Sequence, residues 1–152
     1  GDVTTFNSQE GVLYAEIATL ENTASSSKYI SITDNSYTNR LSIVNSIGST
    51  NTIRIFGYVG GVKQFDLDFT VTDIAILNKV ALKYKVNDIA LWINGVEVGI
   101  DTSANTFPIN TLTNLSFSEI GTSASPFFGK TKDLRVYKTA LSDAELIELT
   151  TI

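Results

Sequence analysis

The chain has 0 cysteines and 0 histidines among its 152 residues. Without cysteine it can build neither a disulfide framework nor a thiolate metal site, and cysteine usage says nothing of its redox compartment. Without histidine it loses the commonest general base, the Ser-His-Asp and Cys-His arrangements, and imidazole zinc ligation. Any catalysis would rest on carboxylates, lysine or tyrosine. No apolar run approaches the about 20 residues that a membrane helix needs, so no membrane insertion is expected. Basic residues are few and scattered, 11 against 16 acidic, and a net charge of -5 would repel nucleic-acid phosphates. Proline, with 2 residues, interrupts little.

What is present reads as one domain over residues 1–152, long enough to bury a substantial core and too short for a comfortable second one. Short runs alternating with period two are separated by Gly, Asn, Ser, Thr and Asp clusters: GVLYAEIATL, KYISIT, NRLSIV, NTIRIFGYV, VKQFDLDFTV, KVALKYK, IALWI, VEVGI, NLSFSEI and KDLRVYK. This rhythm predicts an all-β fold, a two-sheet antiparallel β-sandwich or jelly roll. One helical signature stands at the end, SDAELIELTT, where Ser142 and Glu145 form a capping box and Leu141 and Leu146 a hydrophobic staple. A short C-terminal α-helix from about Asp143 is expected.

Turn chemistry fixes the registers. Asn94-Gly95 tolerates the two positive φ values of a type I′ turn and pairs Ile93 with Val96, Leu91 with Val98 and Ile89 with Ile100. A tight turn at Asn87-Asp88 pairs Val86 with Ile89, Tyr84 with Leu91 and Leu82 with Ile93, so every apolar partner lands on one face. The other face then carries Lys83, Trp92 and Glu97 in one row among small residues. Such an indole is either a ligand platform or an edge roofed by a loop. A third hairpin, with a three-residue loop at Val59-Gly60-Gly61, sets Ile53 against Leu67, Ile55 against Phe65, and Arg54 across from Asp66. A two-residue loop there would oppose isoleucines to aspartates.

The candidate ligand-binding residues are Trp92, Lys83 and Glu97 on that face, and Tyr37 and Arg40 near strand ends and loops, where Tyr29 and Tyr58 also lie. Asp34, with Asn35 and Asn39, and Asp101, with Ser103 and Asn105, offer oxygens at spacings that calcium could use, or simply cap their own turns. Asp66-x-Asp68 points two carboxylates one way, but Arg54 stands ready to pair with Asp66, and no enzymatic role is expected.

The run VALKYKVNDIALWINGVEVGIDTS, followed by FFGKTKDLRVYKTALSDAELIELTT, resembles the laminin-G-like jelly-roll domains of the concanavalin A-like lectin/glucanase superfamily, of the kind found in bacteriophage tail and fibre proteins. The resemblance spans about Gly11 to Thr151. It implies a single lectin-like jelly-roll domain that binds a glycan or polysaccharide, in some members with calcium. The chain lacks the Glu-x-Asp-x-x-Glu pattern of the enzymatic branch. The resemblance thus implies a non-catalytic carbohydrate-binding module of a virion surface or tail fibre, or otherwise extracellular. The alternative is a structural decoration or oligomerisation module that packs against copies of itself or neighbouring virion proteins.

Overall fold

The computed structural model describes residues 4–23, 27–45, 48–121 and 125–152. In chain order these form β1 (Glu10–Thr19), β2 (Lys28–Thr33), β3 (Arg40–Asn45), β4 (Thr52–Val59), β5 (Val62–Thr70), β6 (Asn78–Lys85), β7 (Ile89–Ile93), β8 (Val96–Asp101), β9 (Asn114–Ser116), β10 (Gly129–Tyr137) and α1 (Asp143–Thr150). Two five-stranded sheets result, a first in the order β10-β1-β6-β7-β8 and a second in the order β5-β4-β3-β2-β9. Every pairing is antiparallel, the sandwich that the alternating runs predicted.

The core lies between the sheets. Leu13, Ile17, Leu82 and Leu91 of the first meet Ile30, Leu41, Ile43 and Ile55 of the second, and Phe6, Phe107 and Leu112 close the ends. Each such side chain contributes roughly 1.5–3 kcal/mol by leaving water, which is why the period-two pattern decides the fold.

Asn94 and Gly95 both take positive φ, 52° and 85°, and Ile93 pairs with Val96 as expected. Beyond Trp92 and Glu97 the register slips by one, so Leu91 faces Gly99 and Ile89 faces Asp101 rather than Val98 and Ile100. The slip is a β-bulge, which turns Val98 toward the core and leaves Ile100 58% exposed. The preceding loop is Val86-Asn87 instead of Asn87-Asp88. Asn87 takes the positive φ (58°) of a central turn residue, and the Asp88 N–H donates to the Lys85 carbonyl. Leu82 therefore pairs with Leu91 and Val80 with Ile93. This two-residue shift preserves the faces but moves Lys83 out of the tryptophan's row, opposite Ala90.

The β4–β5 hairpin corrects another expectation. Its loop is the two-residue Gly60-Gly61, both at positive φ, with Val59 paired to Val62. A bulge between Gly57 and Tyr58 then absorbs one residue, so Ile55 faces Leu67 and Ile53 faces Phe69, and no isoleucine meets an aspartate. Arg54 sits opposite Asp68 and reaches Asp66 on the diagonal. Gly57 is where this hairpin needs a glycine, since a Cβ there would lie 2.3 Å from the Phe65 ring.

Ser142 caps α1 as expected. Its hydroxyl accepts from the Glu145 N–H, and the Glu145 carboxylate accepts from the Ser142 N–H at 2.8 Å. The helix lies on the outer face of the first sheet, seating Leu146, with Leu141 and Leu149 beside it, on Val12, Ala81, Ala90 and Trp92. The small side chains of Ala81 and Ala90 allow that approach. At the helix end the Gly95 N–H donates to the Thr150 hydroxyl at 3.1 Å, and Lys79 Nζ donates to the Thr151 carbonyl at 2.6 Å.

Candidate ligand site on the outer face of the second sheet

Alternation sends Tyr29, Arg40, Arg54, Phe56, Tyr58 and Asp66 to the face of the second sheet that points away from the core. Register brings them together: Arg40 lies opposite Tyr58, Ser42 opposite Phe56, and Val44 opposite both Tyr29 and Arg54. Phe56 meets Tyr29 and Tyr58 edge-on, with centroids 6.1 Å and 5.8 Å apart. Beneath them the Ser31 and Ser42 hydroxyls share a hydrogen bond of 2.8 Å.

Arg40 is the centre of this cluster and is 8% exposed. Its guanidinium carbon lies 4.3 Å from the Tyr58 ring centroid, 5.1 Å from that of Tyr37 and 5.4 Å from that of Phe56. Nη1 donates to the Tyr37 carbonyl, and Nη2 lies 3.6 Å from Glu119 Oε1. Nε is buried and has no partner among the described residues. Since a buried N–H normally finds an acceptor, this one marks a place where an acceptor is missing. Arg40 lines a pocket of about 150 Å³ with Tyr29, Phe56, Tyr58, Arg54 and Glu119.

Arg54 and Asp66 form a two-pronged ion pair, joined by Lys63 Nζ at 2.8 Å. Burial alone would raise the Asp66 carboxyl; the hydrogen bonds from Arg54 and Lys63 outweigh it and hold the group below the ordinary carboxylate range. Asp66 therefore stays ionised and cannot serve as a proton donor. Three cations, Arg40, Arg54 and Lys63, stand against three carboxylates, Asp66 and Glu119 in the pocket wall and Asp68 opposite Arg54, so the face is balanced and Arg40 is its least tightly paired cation. Burial likewise raises the Tyr29 hydroxyl, so it remains a hydrogen-bond donor.

Of the residues that the sequence singled out, Tyr37 and Arg40 meet here, with Tyr29 and Tyr58. Trp92, Lys83 and Glu97 lie on the other sheet. Trp92 does face away from the main core, but α1 covers it and leaves it 5% exposed, so it offers no platform to a ligand. Lys83 pairs with Asp88 at 2.8 Å, and Glu97, opposite Trp92, is exposed. Asp34 accepts from the Ser36 N–H and hydroxyl and from Asn39 Nδ2, while Asp101 accepts from the Ser103 N–H and hydroxyl. Both carboxylates thus cap their own turns, and among the described residues no group of three acidic side chains gathers to hold a metal. Glu119 and Phe56 were missed. Phe56 was legible in the alternation of RIFGY, whereas Glu119 arrives from the loop after β9, and no local pattern announces it.

Fold and site together define a lectin-like sandwich, and the chain belongs to the concanavalin A-like lectin/glucanases superfamily. The match is to its Laminin_G_3 family model, over residues 2–147. A comparison with curated protein sequences finds no match. Among solved structures, the chain is similar to the Ruminococcus gnavus IT-sialidase CBM40 bound to α2,3-sialyllactose, at 24% identity and a TM-score of 0.76 over 98% of this chain and 86% of that one. It is similar to domain 4 of AbnA, an extracellular GH43 arabinanase from Geobacillus stearothermophilus, in complex with arabinotriose (16% identity, TM-score 0.69, 99% and 70% covered). It also matches the leech intramolecular trans-sialidase at 22% identity and a TM-score of 0.73, over 95% of this chain but 24% of that enzyme. The chain thus spans about a quarter of the length of that enzyme.

Proposed function

We propose that this chain is a non-catalytic carbohydrate-binding module that takes one acidic sugar residue, through its carboxylate, in the pocket around Arg40. The unpartnered, buried Nε of Arg40 carries the reading. A sugar carboxylate supplies the acceptor that this N–H lacks, and a planar guanidinium is the side chain best shaped to receive it. The loose 3.6 Å pairing of Arg40 with Glu119 leaves its guanidinium open to an anion, and Tyr37, half-exposed beside it, gives the pyranose C–H groups an aromatic surface. The sialyllactose complexes of the R. gnavus module support an acidic glycan. Asp66 is held ionised by Arg54 and Lys63, which supports binding without hydrolysis. The resemblance to phage tail and fibre domains supports a setting on a virion or other extracellular surface.

A glycan array probed with the isolated protein tests this. Acidic glycans are expected to be retained, with retention lost in Arg40→Gln. Absence of binding to any acidic glycan, or binding indifferent to Arg40→Gln, overturns the reading and favours the structural module.

A further inference from the structure

We propose that the outer face of the first sheet carries a second saccharide site, for a neutral hydroxyl-rich sugar, in the cleft between β10, β1 and α1. The helix covers only the β6–β7 half of that face. Past its edge the outward residues of β1 and β10 floor a cleft of about 620 Å³, on the opposite side of the sandwich from Arg40.

Two polar side chains buried in its floor have unfilled hydrogen-bonding capacity. Tyr14 is 2% exposed, and its hydroxyl makes no hydrogen bond among the described residues. A tyrosine so enclosed ordinarily finds a partner, and here the cleft is where one can sit. Burial foremost, with Glu16 and Asp133 nearby, pushes this hydroxyl up to about 12, so it remains a donor. Glu16 is 8% exposed; Oε1 accepts from Lys132 Nζ at 2.9 Å, and Oε2 takes no bond among the described residues. A bulge at Glu16 in the β1–β10 pairing leaves Lys132 unpaired in the ladder and able to reach that carboxylate.

The charges here are already matched. Lys132 is taken by Glu16, and Arg135 by Asp133 at 2.6 Å. Lys79 is held by the Thr151 carbonyl, and Glu145 by the helix cap. Glu148 is exposed to solvent at the rim. A carboxylate would find Lys79, Lys132 and Arg135 already taken, whereas sugar hydroxyls, each both donor and acceptor, suit the free capacity of Tyr14 and Glu16. Tyr137, Leu141 and Leu149 supply an apolar wall for the ring. The two faces thus differ in kind, one built around a loosely paired guanidinium and one around a buried tyrosine and a carboxylate with a free oxygen.

Titration of the ¹⁵N-labelled protein with lactose, maltotetraose, cellotetraose and 3′-sialyllactose, each to about 10 mM so that a millimolar site fills, tests the proposal. At least one neutral probe is expected to shift amides of β1 and β10 around Tyr14 and Tyr137. Tyr14→Phe, which keeps the ring packing, should weaken that binding about fivefold, the worth of one hydrogen bond, as should Glu16→Gln, while Arg40→Gln leaves it unchanged. No shift in the cleft from any neutral probe, or shifts that persist at full strength in both cleft variants, overturns the site. Sialyllactose shifts at the Arg40 face with no cleft shift from any neutral probe would overturn this site alone, and cleft shifts without any at Arg40 from sialyllactose would overturn only the first.

Discussion

Truncating Trp92 to alanine separates a covered indole from an exposed one. A tryptophan buries roughly 150–250 Å², which at about 25 cal/mol per Å² corresponds to some 4–6 kcal/mol as an upper bound. Measured truncations of buried tryptophan fall lower, at about 3–5 kcal/mol. One feature of this site lowers the expectation further. Among the described residues Trp92 Nε1 is buried without a partner, so truncation also removes an unsatisfied donor, worth about 1 kcal/mol. The net expectation for Trp92→Ala is a loss of about 2–4 kcal/mol. Trp92→Phe keeps a ring against Leu146 and discards the orphan N–H, and should stay within about 1.5 kcal/mol of the parent. Because each variant lacks the chain's 1 tryptophan, unfolding in urea is followed by far-ultraviolet circular dichroism. A loss below about 1 kcal/mol for the alanine variant, with the slope unchanged, would refute the claim that α1 roofs this face.

Three further outcomes are expected. Ser142→Ala removes the acceptor for the Glu145 N–H and should cost about 1 kcal/mol in urea unfolding; an unchanged midpoint would mean the cap is not Ser142. Gly57→Ala drives a methyl into the Phe65 ring and should cost more than Gly99→Ala, where the new Cβ meets Leu67 at an ordinary 3.5 Å; equal losses would show that the Phe65 ring yields freely. Asp66 has its carboxyl held below its unfolded value near 3.9, so its contribution is complete above that pH and is lost as pH falls through the folded value. The stability gap between the parent and Asp66→Asn should therefore narrow as pH drops from about 5 toward 2, and a gap that widened would reverse the sign of the argument.

The alternation of apolar and polar residues was enough to assign faces throughout, because burial enforces parity more strictly than register. Leu82 changed partner from Ile93 to Leu91 and stayed in the core, and Ile53 and Ile55 kept their face although the loop was one residue shorter than expected. Bulges were not legible. Those at Gly57 and after Trp92 answer to contacts between distant strands, and the second sent Ile100 outward where simple pairing would have turned it in. The fate of Trp92 was half legible: its face followed from parity, but its cover comes from a helix 50 residues later whose landing place no local pattern records. Arg40 and Tyr37 were found through their loop position, whereas Glu119 comes from 79 residues beyond Arg40 and is joined to it only by the folded chain.

The strand order carries a consequence for how the chain is made. β1, the first of the ten described strands in chain order, ends in the middle of its sheet with β6 on one side and β10, the last of them, on the other. Nine of its ten residues are buried in the finished molecule. Until residue 137 has emerged, one flank of β1 lacks its partner, and until α1 follows, Trp92 has no roof. Closure therefore waits for β10 and α1 to emerge, and nascent chains crowded on one messenger would until then each present the same open apolar edge to their neighbours. Synthesis rate and spacing, as much as final stability, would then govern the yield of soluble protein.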